Sequence, residues 1–404
     1  MKRLIIDGLI ILAVLGFAAR NIQLFLADLH YQKGEKLLDR KSFDRSKPLE
    51  QPLFHYERAS AILPERAQYQ RAMGRTCLKL YHSGSGNLRH LYMAYHAFQQ
   101  VLKLDAVYPY GWSEMGMVLQ ALKEAGVSDR PSPEHYFTRA VEIDPTNPLF
   151  LIRLIKWRLK QSQPDQARKL LSRLLISYPK ALKLFGKKLL QSEQDLIKFA
   201  DHLGNHPDAN LQYAYYLLRR NYPDMAEAQM ERISESDRLR PDIVLRMAKI
   251  KVAMDKHEEA RQMLAQAFEA APHESGIARY LARILAKEKD LNGAIEVLKR
   301  ALTASPGQWE LNLSIARLAQ KAGQDELALE NYTQVLDSKQ ANASIEKEIY
   351  TERADIRLKQ GNLRQALVEC EKALKITPGD AKLANKVKRL RVELEYRNPG
   401  TEDH

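Results

Sequence analysis

The plainest hydrophobic pattern in this chain lies near its end. From Asp380 to Arg397 the apolar residues are Leu383, Val387, Leu390 and Leu394, spaced 4, 3 and 4 apart, among Lys382, Lys386, Lys388, Arg389 and Arg391. That spacing predicts a helix with one apolar stripe, packed on whatever precedes it. Upstream, the pattern repeats itself. Ala226, Ala260, Ala294 and Ala328 stand 34 residues apart, and Ala214, Ala248, Ala282 and Ala316 precede them by 12. Two small residues per period mark where antiparallel helices cross closely, because axes approach to about 8–10 Å according to the side chains at the contact. Met247, Leu264, Leu281, Leu298, Ile315 and Tyr332 supply the bulk of the core. Pro272, Pro306 and Pro378 end the second helix of their pairs. Sustained Val, Ile and Thr alternation, the mark of strands, is absent.

The N-terminus carries a different pattern. After Met1-Lys2-Arg3, residues 4–19 are apolar apart from Asp7, and Arg20 ends the run. Sixteen helical residues span roughly 24 Å, slightly short of a bilayer's hydrocarbon core. Three readings fit. The first is an uncleaved signal anchor with its N-terminus in the cytoplasm. The second is a signal peptide cleaved near Ala18, with Gly16-Phe17-Ala18 as the small-residue site. The third is a buried helix of a soluble protein. Ile22, Leu24, Phe25 and Leu26 continue the apolar pattern, so one long helix is expected to leave the membrane and become the first repeat helix. Basic residues at the very start favour that end staying inside. The expected location is a bacterial inner membrane, crossed once, with the body in the periplasm; release into the periplasm after cleavage is the alternative.

The repeated residues resemble the tetratricopeptide repeat, a 34-residue helix-turn-helix. Trp112, Met115 and Gly116 match its first-helix pattern. Gly361, Ala366, Ala373, Leu374 and Pro378 match its turn and second helix, with Cys370 in place of the usual aromatic. The resemblance implies an all-α, right-handed α-solenoid of about nine hairpins, preceded by one N-terminal transmembrane or signal helix and closed by a capping helix. Second helices are expected to end near Pro64, Ala106, Pro145, Pro179, Arg238, Pro272, Pro306, Gln340 and Pro378. The expected division is an anchor at 1–20, four irregular repeats at 21–179, a helical spacer at 180–206, five repeats at 207–378, and a cap and tail at 379–404. Insertions are expected around Lys41 to Gln51, at Ser83-Gly84-Ser85-Gly86, and around Val127 to Pro133.

In this family the first helices line the concave face, where ligands usually lie. Residues one and five positions past each crossing point share that face. One position on stand Lys156, Tyr215, Lys249, Arg283 and Arg317; five positions on stand Lys160, Arg219, Ala253, Lys287 and Lys321. Arg153, Arg246 and Arg279 lie close by on the same helices. None of these is acidic. They read either as a positive groove for an elongated anionic ligand or as cations paired with carboxylates on neighbouring helices. Asp355 breaks the series in the ninth repeat.

The 404 residues carry a formal +13, which suits an acidic partner and equally a solvated basic surface. The two cysteines, Cys77 and Cys370, are too far apart in sequence to build a disulfide framework or a cysteine metal site. His202 and His206 have a metal-binding spacing, but Gly204 and Pro207 place them at a helix end. No phosphate loop, nucleophile elbow or zinc-protease motif occurs, so no enzyme, cofactor or metal is expected. The expected function is a membrane-tethered scaffold or adaptor for protein partners, including acidic segments. The alternative is an accessory factor binding an anionic polysaccharide in exopolysaccharide or surface-glycan assembly. Nucleic acid is disfavoured, because few aromatics interleave with the cations.

Overall fold

A computed structural model describes residues 2–38, 49–85 and 87–397. Most of the insertion expected at 41–51, Gly86, and the tail from Asn398 lie outside the described residues. Every long regular element among those described is an α-helix. The chain divides after Gly204 into two compact bodies. In the first, α1 (Lys2–Leu38) pairs with α2 (Glu50–Ile62), and α3 (Ala67–Leu80) pairs with α4 (Leu88–Leu104). Next, α5 (Pro109–Glu124) pairs with α6 (Pro133–Ile143), and α7 (Pro148–Lys160) with α8 (Pro164–Ser177). Two further helices, α9 (Ala181–Leu189) and α10 (Glu193–Leu203), pack on α8. Buried Arg168 fastens them there, donating to Leu189 O at 3.0 Å and to Asp195 Oδ1 at 2.7 Å.

In the second body α11 (Pro207–Leu218) pairs with α12 (Pro223–Glu231), and the one-turn α13 (Glu235–Arg238) follows. Three more pairs are α14 (Pro241–Ala253) with α15 (His257–Ala270), α16 (Ser275–Lys287) with α17 (Leu291–Ala304), and α18 (Trp309–Lys321) with α19 (Asp325–Asp337). The last is α20 (Ala343–Lys359) with α21 (Leu363–Ile376), covered by α22 (Ala381–Arg397). These are the nine hairpins and end helix that the repeat implied. Leu383, Val387 and Leu390 of α22 are buried on Ala366, Cys370 and Ala373. The first helices of neighbouring repeats touch directly, α3 with α5, α14 with α16 and α16 with α18. Side by side they make one wall, the inner wall that the repeat resemblance implies.

The third to ninth hairpins turn in the same way. Gly126, Ser162, Asn221, Asp255, Lys289, Gly323 and Gly361 all take positive φ at the bend between first and second helix. Paired backbone bonds close each bend, for example Asp290 N to Leu285 O at 2.9 Å and Lys289 N to Ala286 O at 3.3 Å. That pairing satisfies carbonyls left open at the end of the first helix.

The helices then cross at a small residue. In the first three repeats it is glycine under an aromatic ring. A Cβ added at Gly34 would stand 2.6 Å from the Tyr56 ring, at Gly74 2.9 Å from Phe98, and at Gly116 2.8 Å from Phe137. In the second body alanine takes that place at Ala248, Ala282 and Ala316, all fully or almost fully buried. The residue sixteen on is then usually aliphatic, Leu264 or Leu298, with Tyr332 the exception.

Helix α1 is continuous over its 37 residues, about 55 Å at the usual rise. Residues 12–22 are exposed throughout, while Ala27 is buried against Ala59, Leu63 and Tyr69. Tyr56 donates its hydroxyl to Glu35 at 2.6 Å, Tyr69 bonds Asp28, and Arg20 pairs with Glu65. The helix is long and apolar enough to be a membrane span or a signal sequence. Its latter half is the first helix of the first repeat.

Gly116→Ala is expected to destabilise the chain by about 1–3 kcal/mol, because the buried Phe137 ring has no room to retreat. Urea unfolding followed by circular dichroism measures this.

Candidate functional site

On the inner wall of the second body, Tyr280 of α16 is the centre of a cation cluster. The Lys249 ammonium from α14 lies 5.7 Å from the ring centroid, and the Arg283 guanidinium lies 5.6 Å from it. Both distances permit cation–π attraction. Tyr215 of α11 adjoins the cluster. Burial raises its pKa, Tyr280 adds to that rise and Arg246 opposes it. Burial raises the Tyr280 pKa too, with Arg283 opposing.

The residues singled out by the repeat spacing fall into two groups. Arg246 pairs with Asp208 of α11. Arg317 is held by Glu348 at 2.6 Å and reaches Glu352 at 4.0 Å. Burial raises the Glu352 pKa, while the Tyr332 hydroxyl and Arg317 work against it. Asp355 pairs with Lys386 of α22 at 2.5 Å. These groups are neutralised locally. By contrast Arg219, Lys249, Arg279, Arg283, Lys287 and Lys321 are exposed. None of the six has a carboxylate in ion-pair reach among the described residues. The Lys249–Arg283–Arg317 row is therefore broken at its third member.

Elsewhere on this body many cations are spoken for. Lys251 and Lys256 share Glu227, both at 2.6 Å or less, and Arg300 pairs with Glu269 at 2.8 Å. Lys251 donates the hydrogen bond that contributes most to holding the Glu227 carboxyl below its usual range.

In the first body, Lys160 of α7 pairs with Glu124, while Lys156 is exposed with no carboxylate in reach among the described residues. Arg153 turns inward, its Nη1 donating to Ser113 Oγ at 2.7 Å. It meets a constellation that the spacing argument passed over. Glu114 of α5 is 5% exposed and accepts from Arg71 Nε and Nη2, each at 2.8 Å. Arg75 stands 3.6 Å from the same carboxylate. The rings of Tyr108 and Tyr110 lie 5.4 and 5.0 Å from the Arg71 guanidinium. Burial by itself would lower the Arg71 pKa; the Glu114 hydrogen bonds, the Glu114 charge and Tyr108 and Tyr110 together outweigh it, and the net shift is upward. Burial lowers the Arg153 pKa, with Glu114 opposing. The signal for this site was present in the sequence. Arg75 and Lys79 follow the crossing Gly74 by one and five positions, the offsets used further down the chain.

Both cysteines are buried and free, and burial lifts the Cys77 thiol to about 12. Among the described residues no three His, Cys, Asp or Glu side chains converge on a metal position. His206 stands at the N-cap position of α11, just after Gly204 closes α10.

Residues 245–308 and 347–380 match tetratricopeptide repeat family models. The repeats over those residues are tetratricopeptide repeats. No curated protein matches the sequence. Similar solved structures include PilF of Pseudomonas aeruginosa, 18% identical, covering 57% of this chain and 99% of that one, with a TM-score of 0.36. MamA of Desulfovibrio magneticus RS-1, from residue 41 on, is 13% identical over 43% of this chain and 97% of its own, with a TM-score of 0.35. YrrB, described as a TPR protein with an unusual peptide-binding site, is 19% identical over 48% and 97%, with a TM-score of 0.35.

Glu227→Gln removes the partner of Lys251 and Lys256 and is expected to lower stability by about 1 kcal/mol at neutral pH. The Glu227 pKa is depressed in the folded state, so its contribution is present above the unfolded carboxyl pKa and lost as pH falls through the folded one. The gap between variant and parent in urea unfolding should therefore close below about pH 4.

Proposed function

We propose that this chain is a membrane-tethered helical-repeat scaffold that gathers protein partners, acidic segments among them, on the inner wall of its second body. Stacked helical repeats offer an extended interface with no need of an active site. The observation that carries this reading is the set of exposed cations around Tyr280. Lys249, Arg279, Arg283 and Lys287 stand together on α14 and α16 with no carboxylate in reach among the described residues, although the same body pairs many of its other cations. Unpaired charge beside a partly buried aromatic ring favours an acidic partner that also brings apolar surface. Arg219, Lys321 and Tyr215 extend this wall, and Lys156 gives the first body a smaller patch of the same kind.

Residues 4–19 serve as an uncleaved anchor in an inner membrane, with the repeats in the periplasm. The continuity of α1 from the apolar run into the first hairpin supports this, since cleavage near Ala18 would leave a frayed, apolar start to a packed helix. A second reading, an anionic polysaccharide handled during exopolysaccharide or surface-glycan assembly, draws on the same unpaired cations.

The double variant Lys249→Glu with Arg283→Glu separates these from a bystander surface. Recovery of a co-purifying acidic partner from membranes should fall by about tenfold or more, with helicity unchanged. Undiminished recovery would remove the second-body wall from the proposal. Binding that collapses between low and physiological salt favours the polymer, because many screened contacts are lost together. Alkaline extraction followed by N-terminal sequencing checks the tether: the chain should stay with the membrane and begin at its own first residues.

A further inference from the structure

We propose that the arginine cavity of the first body binds an acidic side chain that a partner protein presents beside an aliphatic residue, within a segment that runs through the site. The proposal rests on the scaffold reading but uses a different surface from the second-body wall. The cavity, about 550 Å³, is lined by Arg75, Lys79 and Arg153 against a single carboxylate, Glu114. That carboxylate is already committed, since Arg71 takes both of its oxygens at 2.8 Å. Arg75 is left at 3.6 Å and is half-exposed toward the cavity. Arg153, mostly withdrawn from water, donates to Ser113 Oγ and, among the described residues, has no carboxylate in ion-pair reach. A cation buried without a counter-ion is unfavourable, and an arriving carboxylate relieves it.

Shape narrows the ligand. The planar forks of Arg75 and Arg153 suit a carboxylate, as Arg71 shows on Glu114. Leu38, Leu49, Leu78 and Met117 line the same cavity, so the acid arrives with an apolar neighbour. A second cavity of about 490 Å³, lined by Tyr31, Tyr56 and Tyr108 with Glu35 and Asp105, shares Leu38, Arg75 and Lys79 with the first. A segment that fills both continues past the arginines, which favours an internal Asp or Glu over a chain end.

The test uses the full chain in detergent and an array of end-blocked eight-residue peptides. Each carries one Glu beside one Leu with the other positions mixed, and each has a twin with Gln for Glu. Glu peptides should be retained over their twins. Arg75→Gln and Arg153→Gln should each weaken the best of them by about tenfold. Retention lost in Lys249→Glu with Arg283→Glu but kept in Arg75→Gln would assign the peptides to the second-body wall and overturn the proposal, so this reading and the second-body reading fail separately. Equal retention of Glu and Gln twins would overturn the proposal, as would indifference to Arg75→Gln. Retention only of peptides with a free C-terminal carboxylate would overturn the side-chain assignment. If circular dichroism shows that Arg153→Gln does not fold, the result at half-exposed Arg75 decides.

Discussion

Everything in this molecule depends on how closely the two helices of each hairpin cross. A glycine or alanine on the first helix lets a large side chain of the second lie across its backbone, as Phe137 does over Gly116. From the third hairpin on, the left-handed residue at the bend, such as Gly361 or Asp255, folds the second helix back within a single turn of chain. Close crossing fixes which face of each first helix is buried against its partner. The opposite face is thereby presented to the next repeat and to the inner wall. Position along the helix, measured from the small residue, becomes position in the wall. That is why Arg75, Lys249, Arg283 and Arg317, each one step past a crossing residue, share an environment in kind though not in neighbours.

The fold was legible wherever the interval was constant. The alanines at 34-residue spacing in the second body gave the hairpins, and the apolar stripe of α22 gave the cap. The first body was harder because its loops differ in length. Gly34, Gly74 and Gly116 do the same work as the alanines, but 40 and 42 residues separate them. A search for equal spacing passes them by, and with them Arg75 and Lys79. Charge state was the least legible property. Arg317 is neutralised by Glu348 and Glu352 from the next repeat, and Arg246 by Asp208 from the one before. Nothing in the spacing of the cations themselves distinguishes these from Lys249 or Arg283. Only packing decides which carboxylate comes within reach.

The two bodies use arginine in different ways. In the second, exposed cations surround a tyrosine and face solvent, an arrangement suited to fast, salt-sensitive capture of an acidic surface. In the first, guanidinium groups are partly withdrawn from water and ordered by Glu114, Ser113 and the Tyr108 and Tyr110 rings. Preorganised donors of that kind give selectivity for geometry more than for charge alone.

The central claim is that partners bind the wall made by first helices. Photo-crosslinking in living cells tests it most directly, with a benzophenone amino acid placed at Arg279 on the inner wall or at Lys299 on the second helix of the same repeat. A partner adduct is expected from position 279 and none from 299. Adducts from 299 alone would place binding on the opposite surface and contradict it.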